Sequence, residues 1–377
     1  MSRVLQLSVV HRPDDPRIHE RECRTLVEAG HQVAYMAPGS DEGFDAHGVL
    51  HLPLPARPRA QRALHTPAIL KTVRALRPAV VHVHDPELLA LFPALRPLVP
   101  RLVYDMHEYV PQQVAAKHYI PAPVRPAASG AAALGQRTLA ALGDGVVTVT
   151  EAQLEALGQR PALRATLPNY PRFARFTDPR PRPDLADDRL KLVYVGSLSK
   201  GRGCGVMLDV MAEVADRAVL YLGGTFADPG WGREAEARVA GELAGAVRLL
   251  GRVPPADVPG VLAAAEVVWV PAQQTSQYAL PTVATKLYEG LAVGLAALVS
   301  DLPGRSELVR EERCGVTVPP TLEGHLRGVE RLAADRDAVA PMGERGRRAV
   351  RERYSWEVVE GRLVDFYAEL TRGVTTA

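Results

Sequence analysis

Two charged side chains near the middle of Leu280–Asp301 (LPTVATKLYEGLAVGLAALVSD) are the first candidates for chemistry. Lys286 and Glu289 fall on a short predicted helix, Thr285 to Leu291, with a break at Gly294 and a buried apolar run from Leu295 to Val299 after it. A carboxylate pinned between a tight turn and a buried strand is placed to grip a polar ligand. The blander alternative, which helix statistics favour in isolation, is a salt bridge or a solvated helix face. A second constellation is the turn Ser197-Leu-Ser-Lys-Gly-Arg-Gly-Cys-Gly205, between a buried strand and a helix. Backbone N–H groups at a helix start, with cationic side chains beside them, make an anion site. Lys200 and Arg202 are therefore candidates to neutralise a phosphate or diphosphate, with a plain flexible turn as the alternative. A P-loop is excluded because Gly-Lys-Ser/Thr is absent. A dinucleotide fingerprint in Gly201-x-Gly203-x-Gly205 lacks an acid on the following strand, which ends in Gly223-Gly224.

Further polar groups cluster at other strand ends. Alternation puts His82 and His84 on one side of a strand, so a metal is conceivable there, but no second His-rich pair with suitable spacing completes the set. No metal is expected. Asp85 and Glu87 follow at the same carboxyl end, where they would face a ligand cleft. In Tyr104-Asp-Met-His-Glu-Tyr109, His107 and Glu108 emerge from the next strand. A lone histidine is more often structural than catalytic, yet this one sits where an α/β domain places its ligand contacts. Asp14, Asp15, Arg17 and Glu20 read equally as a helix cap with first-turn charges or as functional groups.

A strand-then-helix rhythm must position these groups. Val4–Val10, Gln32–Ala37, Ala79–His84, Arg101–Met106 and Gly145–Thr150 read as strands with helices between them, and the rhythm restarts at Leu190. The proline-rich stretch LPNYPRFARFTDPRPRPDLADDRL, residues 167–190, reads as a linker. With 377 residues the chain exceeds one ordinary core. The expected domains are 1–170, 171–357 and a terminal return helix, 358–377. Such sheets bind ligands at the carboxyl ends of their strands, and with two of them the cleft between is the default site.

Composition is that of a globular protein, at 47% hydrophobic and 23% charged. Residues 1–180 carry 21 Lys+Arg and 16 Asp+Glu, leaving 24 and 27 for the rest, so the first half is the basic one. Within it, Arg57, Arg59, Arg62, Lys71, Arg74 and Arg77 lie in a segment whose second half can form a basic amphipathic helix. That suggests an anionic partner such as a membrane surface. Cys23, Cys204 and Cys314 lack metal-ligand spacing and read as reduced thiols of a cytoplasmic protein. The N-terminus reads as a strand and a turn rather than a signal peptide.

Several stretches together resemble the GT4 family of retaining glycosyltransferases with the GT-B fold. They are DDPRIHERECRTLVEAGHQV, VVHVHDPELLAL, RLVYDMHEY, LVYVGSLSKGRG, LLGRVPPADVPGVLAAAEVVWVP and TKLYEGLAVGLAALVSDLPGRSELV, in order over nearly the whole chain. The resemblance implies two Rossmann-like domains facing across a deep cleft, acceptor on the first and nucleotide-sugar donor on the second. It implies that Glu289 accepts hydrogen bonds from the donor ribose, since a carboxylate can take two donors at once. Arg202, with Lys200 and Lys286, would hold the diphosphate, and His107 would lie near the transferred sugar. Ser197, Gly201, Gly203, Thr282 and Leu287 are further expected contacts, and Arg17 would approach the donor phosphates or the acceptor. The sequence departs from the family at Thr282, where a donor-sugar acid is usual, and in Arg12-Pro-Asp-Asp-Pro16, which replaces a Gly-Gly loop. The implied activity is metal-independent, cofactor-free hexosyl transfer with retention, of the kind used in cell-envelope polysaccharide synthesis. The acceptor would be a polysaccharide, glycolipid or small molecule, and no nucleic acid is expected. A nucleotide-sugar epimerase and a silent sugar-nucleotide-binding protein are the rival readings.

Overall fold

Buried on both faces, the strands of a parallel sheet read as near-continuous apolar runs. Val80–Val83 (VVHV) and Ala296–Ser300 (AALVS) show this directly, with every residue buried. The computed structural model describes residues 1–107, 109–111, 114, 120–158, 161–273 and 284–374. It divides into two units, Met1–Pro168 with Val359–Ala377, and Asn169–Val358.

The first unit is built on an eight-stranded sheet in the order β3-β4-β2-β1-β5-β6-β7-β8. The strands are β1 (Arg3–Leu7), β2 (Gln32–Pro38), β3 (Gly43–Phe44), β4 (Leu50–Leu54), β5 (Val80–Val83), β6 (Arg101–Met106), β7 (Gly145–Thr148) and β8 (Leu163–Thr166). All neighbours pair in parallel except β3 and β4. The helix expected after β1 begins as a π-helical turn, Ile18–Cys23, and becomes α-helical only over Arg24–Glu28. The basic segment forms a 3-10 turn, Arg59–His65, and then a helix, Thr66–Leu76, that buries Ile69 and Val73. From the C-terminal helix, Trp356–Leu370, the buried Leu363, Phe366, Tyr367 and Leu370 follow helical spacing. Phe366 packs where a side chain on Gly145 would stand, and the Tyr367 hydroxyl lies 2.8 Å from His82 Nδ1.

The second unit has six parallel strands in the order β11-β10-β9-β12-β13-β14. They are β9 (Leu190–Val195), β10 (Ala218–Gly223), β11 (Val247–Gly251), β12 (Val267–Val270), β13 (Ala296–Ser300) and β14 (Gly315–Val318). The order reverses between β9 and β12, which is the switch point where doubly wound sheets bind ligands. The proline-rich stretch is not a free linker. Its turns Phe173–Phe176 and Pro183–Leu185 bury Phe176 and Leu185 in the core of this unit, with Val193, Val219 and Leu287. The phenyl and leucyl surface covered there outweighs the proline signal that read as flexibility. Among the described residues, no helix is long and apolar enough to cross a membrane.

Candidate active site

At the switch point of the second unit, the Ser197–Gly205 turn lies against the segment that leaves β12. Ser199 Oγ accepts the Arg202 N–H at 3.3 Å and so caps a short turn, Lys200–Arg202. Gly203 follows with φ of 82° and opens the helix Cys204–Glu213. A Cβ at this position would stand 1.8 Å from the Pro271 carbonyl oxygen, so only glycine lets the two loops meet. Gln273 N–H donates to the Gly201 carbonyl at 3.2 Å and ties the same loops together. Lys200 and Ser197 are exposed, and Arg202 is half-buried.

Lys286 rises toward this turn from the helix Thr285–Val293, its Cε 3.1 Å from where a Cβ on Gly196 would be. Its ammonium lies 5.1 Å from the centre of the Tyr194 ring, a cation–π contact. Burial first, then the charges of Arg202 and Arg305, outweigh Glu289 and bring its pKa down to about 7. Burial supplies the largest part of this shift, and the two arginines add positive potential that an anion would relieve. Arg305 was missed in the sequence. It is only 3% exposed and precedes the helix Ser306–Glu311, but a lone arginine in a Pro-Gly turn carries no motif. Leu287 is corrected: its side chain is fully buried in the hydrophobic core, one helix position round from Lys286, and packs rather than meeting a ligand. Thr282 lies outside the described residues.

The first unit gathers polar groups at the carboxyl ends of β1, β5 and β6. Asp85, 2% exposed, accepts from Ser8 Oγ at 2.9 Å and from Val9 N at 2.6 Å. Its carboxylate thus shapes the loop after β1. His11 in that loop bonds Asp15 at 3.0 Å and meets His107, Nε2 to Nε2, at 3.0 Å. Despite burial, which works the other way, the His11 contact holds the Asp15 carboxyl well below the usual carboxylate range. His107 in turn lies 3.6 Å from Asp105.

Behind His107 the charges are matched internally. Arg17 grips Asp105 with two hydrogen bonds, 2.6 and 2.8 Å, and donates to the Leu167 carbonyl at 3.0 Å. His84 bonds Asp105 at 3.1 Å and Gln6 at 2.6 Å. The guanidinium expected to approach a substrate is 5% exposed and committed to this pair, so it braces β6 instead. Burial, then the Asp105 charge, raises the Glu22 carboxyl well above its ordinary range, whereas against burial Arg17 keeps Asp105 well below it. His82 is fully buried beside His84, its pKa lowered by burial and by that neighbour. Glu87 pairs with Arg62 at 2.7 Å in an exposed contact away from this network. Glu108 lies outside the described residues.

The three cysteines are buried free thiols. Burial raises the pKa of Cys204 to about 11, so its place beside the Ser197–Gly203 turn is structural.

Two family models match in series. Residues 20–169 match Glycosyltransferase Family 4, and residues 189–335 match Glycosyl transferases group 1. No curated protein sequence is significantly similar to the chain. Among solved structures, sucrose-phosphate synthase from Thermosynechococcus elongatus superposes with a TM-score of 0.76 at 20% identity, covering 99% of this chain and all of that one. HepE from Anabaena, solved in complex with UDP-glucose, gives 0.76 at 15% identity, covering 98% of this chain and 100% of its own. WaaG, a glycosyltransferase involved in lipopolysaccharide biosynthesis, gives 0.67 at 16%, covering 98% and 100%. With two parallel sheets in this order and family models over both units, the chain belongs to the GT4-type glycosyltransferases of the GT-B fold.

Proposed function

We propose that the chain transfers a hexosyl group from a nucleoside-diphosphate sugar to an acceptor hydroxyl, with retention at the anomeric carbon. The observation that carries this reading is the cationic cluster at the β9/β12 switch point, where Lys286 lies against the glycine turn with the charges of Arg202 and Arg305 acting on it. A diphosphate supplies an anion for these cations. Glu289, on the face of the helix that carries Lys286, accepts the ribose hydroxyls. HepE is a fold neighbour solved with UDP-glucose, which supports a nucleotide-sugar donor here.

In the transfer, the bond from the anomeric carbon to the diphosphate oxygen breaks and its electron pair leaves with the diphosphate. The pocket cations stabilise the charge that builds there, in place of a metal ion. The acceptor oxygen attacks on the same face, and a diphosphate oxygen takes its proton. The 1–168 unit takes the acceptor, with His107, 3.0 Å from His11 and 3.6 Å from Asp105, as its candidate contact. The basic segment 57–77 brings the protein to an anionic membrane face, in keeping with a lipid-linked acceptor of the cell envelope.

A thermal-shift screen of nucleoside diphosphates, followed by turnover of the sugar nucleotide of the stabilising base, tests the reading. Product NMR should give the donor's anomeric configuration, and turnover should persist in a chelator. An inverted product refutes retention, loss of turnover on chelation refutes metal independence, and no stabilisation by any nucleoside diphosphate refutes the donor assignment.

A further inference from the structure

One turn beyond the loop after β1, His19, Asp45 and His51 come together from three separate elements. His19 lies on the π-helical turn, Asp45 in the turn after β3, and His51 on β4. His19 Nε2 and His51 Nε2 stand 2.5 and 3.1 Å from the same atom, Asp45 Oδ2. All three donor atoms lie within 4.8 Å of one another. We propose that these three side chains form a binding site for a divalent transition-metal ion, Zn²⁺ by preference, that fastens the β3–β4 edge to the turn following β1.

The donor set suits such an ion. Two imidazoles and one carboxylate are borderline ligands, and a tetrahedral Zn²⁺ site takes three protein ligands plus a fourth group. At metal–ligand distances of ~2.0–2.1 Å, tetrahedral donors sit ~3.3 Å apart, so the His51 contact already fits and the His19 contact opens by less than ~1 Å.

The surroundings orient the ligands as a metal requires. Asp45 Oδ1 is occupied by the backbone N–H groups of His47 and Val49, at 2.8 and 3.0 Å, which fixes the carboxylate with Oδ2 toward both imidazoles. On the other side of the His19 ring, Nδ1 lies 3.6 Å from Glu20, beyond hydrogen-bond distance but close enough for that carboxylate to turn onto it and set a ligating tautomer. His47 is exposed, with its ring centre 6.0 Å from that of His19, and is in reach as the fourth ligand. A π-helical turn, which widens the helix at His19, is itself a feature found mostly at functional positions. The other two clusters serve less well. Glu22, His82 and His84 are wholly buried, and Asp105, shared by His84 and His107, is already gripped by Arg17.

Calorimetric titration of chelator-treated full-length protein with ZnCl₂ tests this, with Co²⁺ absorption as a second readout of ligand number. One ion per chain is expected. Asp45→Asn keeps the amide contacts on Oδ1 but removes the anion, and it should weaken binding by more than the ~10–100-fold that losing an orienting outer group costs. Glu20→Gln should cost about tenfold on the same scale. His107→Ala should leave the ion bound. Should His19→Ala lose its fold, as read by circular dichroism, His51→Gln replaces it in the series. The proposal is overturned if the wild type binds no ion, if binding survives both Asp45→Asn and His51→Gln, or if it disappears with His107→Ala instead.

Discussion

The carboxyl ends of the two sheets treat charge in opposite ways. In the first unit Arg17, Asp105 and His84 are joined by hydrogen bonds in a buried network with Glu22 beside Arg17, and His11, Asp15 and His107 stand part-exposed at its end. In the second, Lys286 is buried with Arg202, Arg305 and Glu289 acting on it, and burial first, then the two other cations, loosens its proton. A matched network stabilises the fold and needs no ligand. A crowded one costs stability unless an anion offsets it. If the proposed diphosphate is that anion, substitutions in the two places should separate stability from donor binding.

The largest effect is expected where the matched network is cut. Asp105→Ala strips Arg17 of the carboxylate it grips and leaves Glu22, 3.2 Å away, to ionise in its place, a loss of up to ~3–5 kcal/mol. Hydrogen exchange should show protection lost at the amides of β1, β5 and β6 and kept at β9 and β12. Equal loss in both units would mean that the network is not local to the first. Next is Arg202→Ala, which removes a donor from the developing diphosphate charge and should lower kcat by ~10²–10³-fold, as the loss of one preorganised donor does. Its melting temperature should hold or rise, because a cation has left a crowded pocket. A drop in stability matching that of Asp105→Ala would erase the distinction.

The strands were legible because parallel strands are apolar throughout. Arg101–Met106 is placed as expected, the second sheet's first strand starts at Leu190 where the rhythm restarts, and Gly145–Thr148 differs from expectation only at one end. The β3–β4 hairpin was not foreseen, since Gly43–Phe44 is two residues long and β4 is interrupted by Pro53. Nor was β8, whose LRAT has no apolar run. The Ser197–Gly205 turn was legible as a turn because its glycine spacing is local. The buried network was not, because its partners are far apart in sequence: Gln6 meets Tyr367 across 361 positions, and Arg17 meets Asp105 across 88. Read locally, Arg17 looked like a ligand contact, as any charged residue near a strand end would.

A smaller effect is expected for Glu289→Gln, which keeps the shape of the side chain and one acceptor oxygen but loses the charge. Charge-assisted bonds to the ribose are worth ~1.5–3 kcal/mol in total, so donor affinity should fall ~10–100-fold. The comparison to make is nucleoside diphosphate against inorganic pyrophosphate. Only the nucleoside form should weaken, and equal weakening of both would place Glu289 at the phosphates instead.

The smallest effect is a proton. Lys286 in the free protein titrates near 7, below its ordinary 10.5, so between those values the unfolded chain binds the extra proton. Its contribution to stability therefore rises with pH across that window, and the penalty of holding it charged is full below about 7. A bound diphosphate reverses the balance by favouring the ammonium. At pH 8, where free Lys286 is mostly neutral, binding should take up a proton, visible as a calorimetric enthalpy that scales with the ionisation enthalpy of the buffer. Uptake should vanish at pH 6, where the lysine is already charged, and in Lys286→Met at either pH. Donor affinity should weaken as pH climbs above 7, by no more than about tenfold per pH step, the limit for one linked proton. Uptake that persists in Lys286→Met would assign the titrating group to another residue and leave the crowding of the second unit without its physical signature.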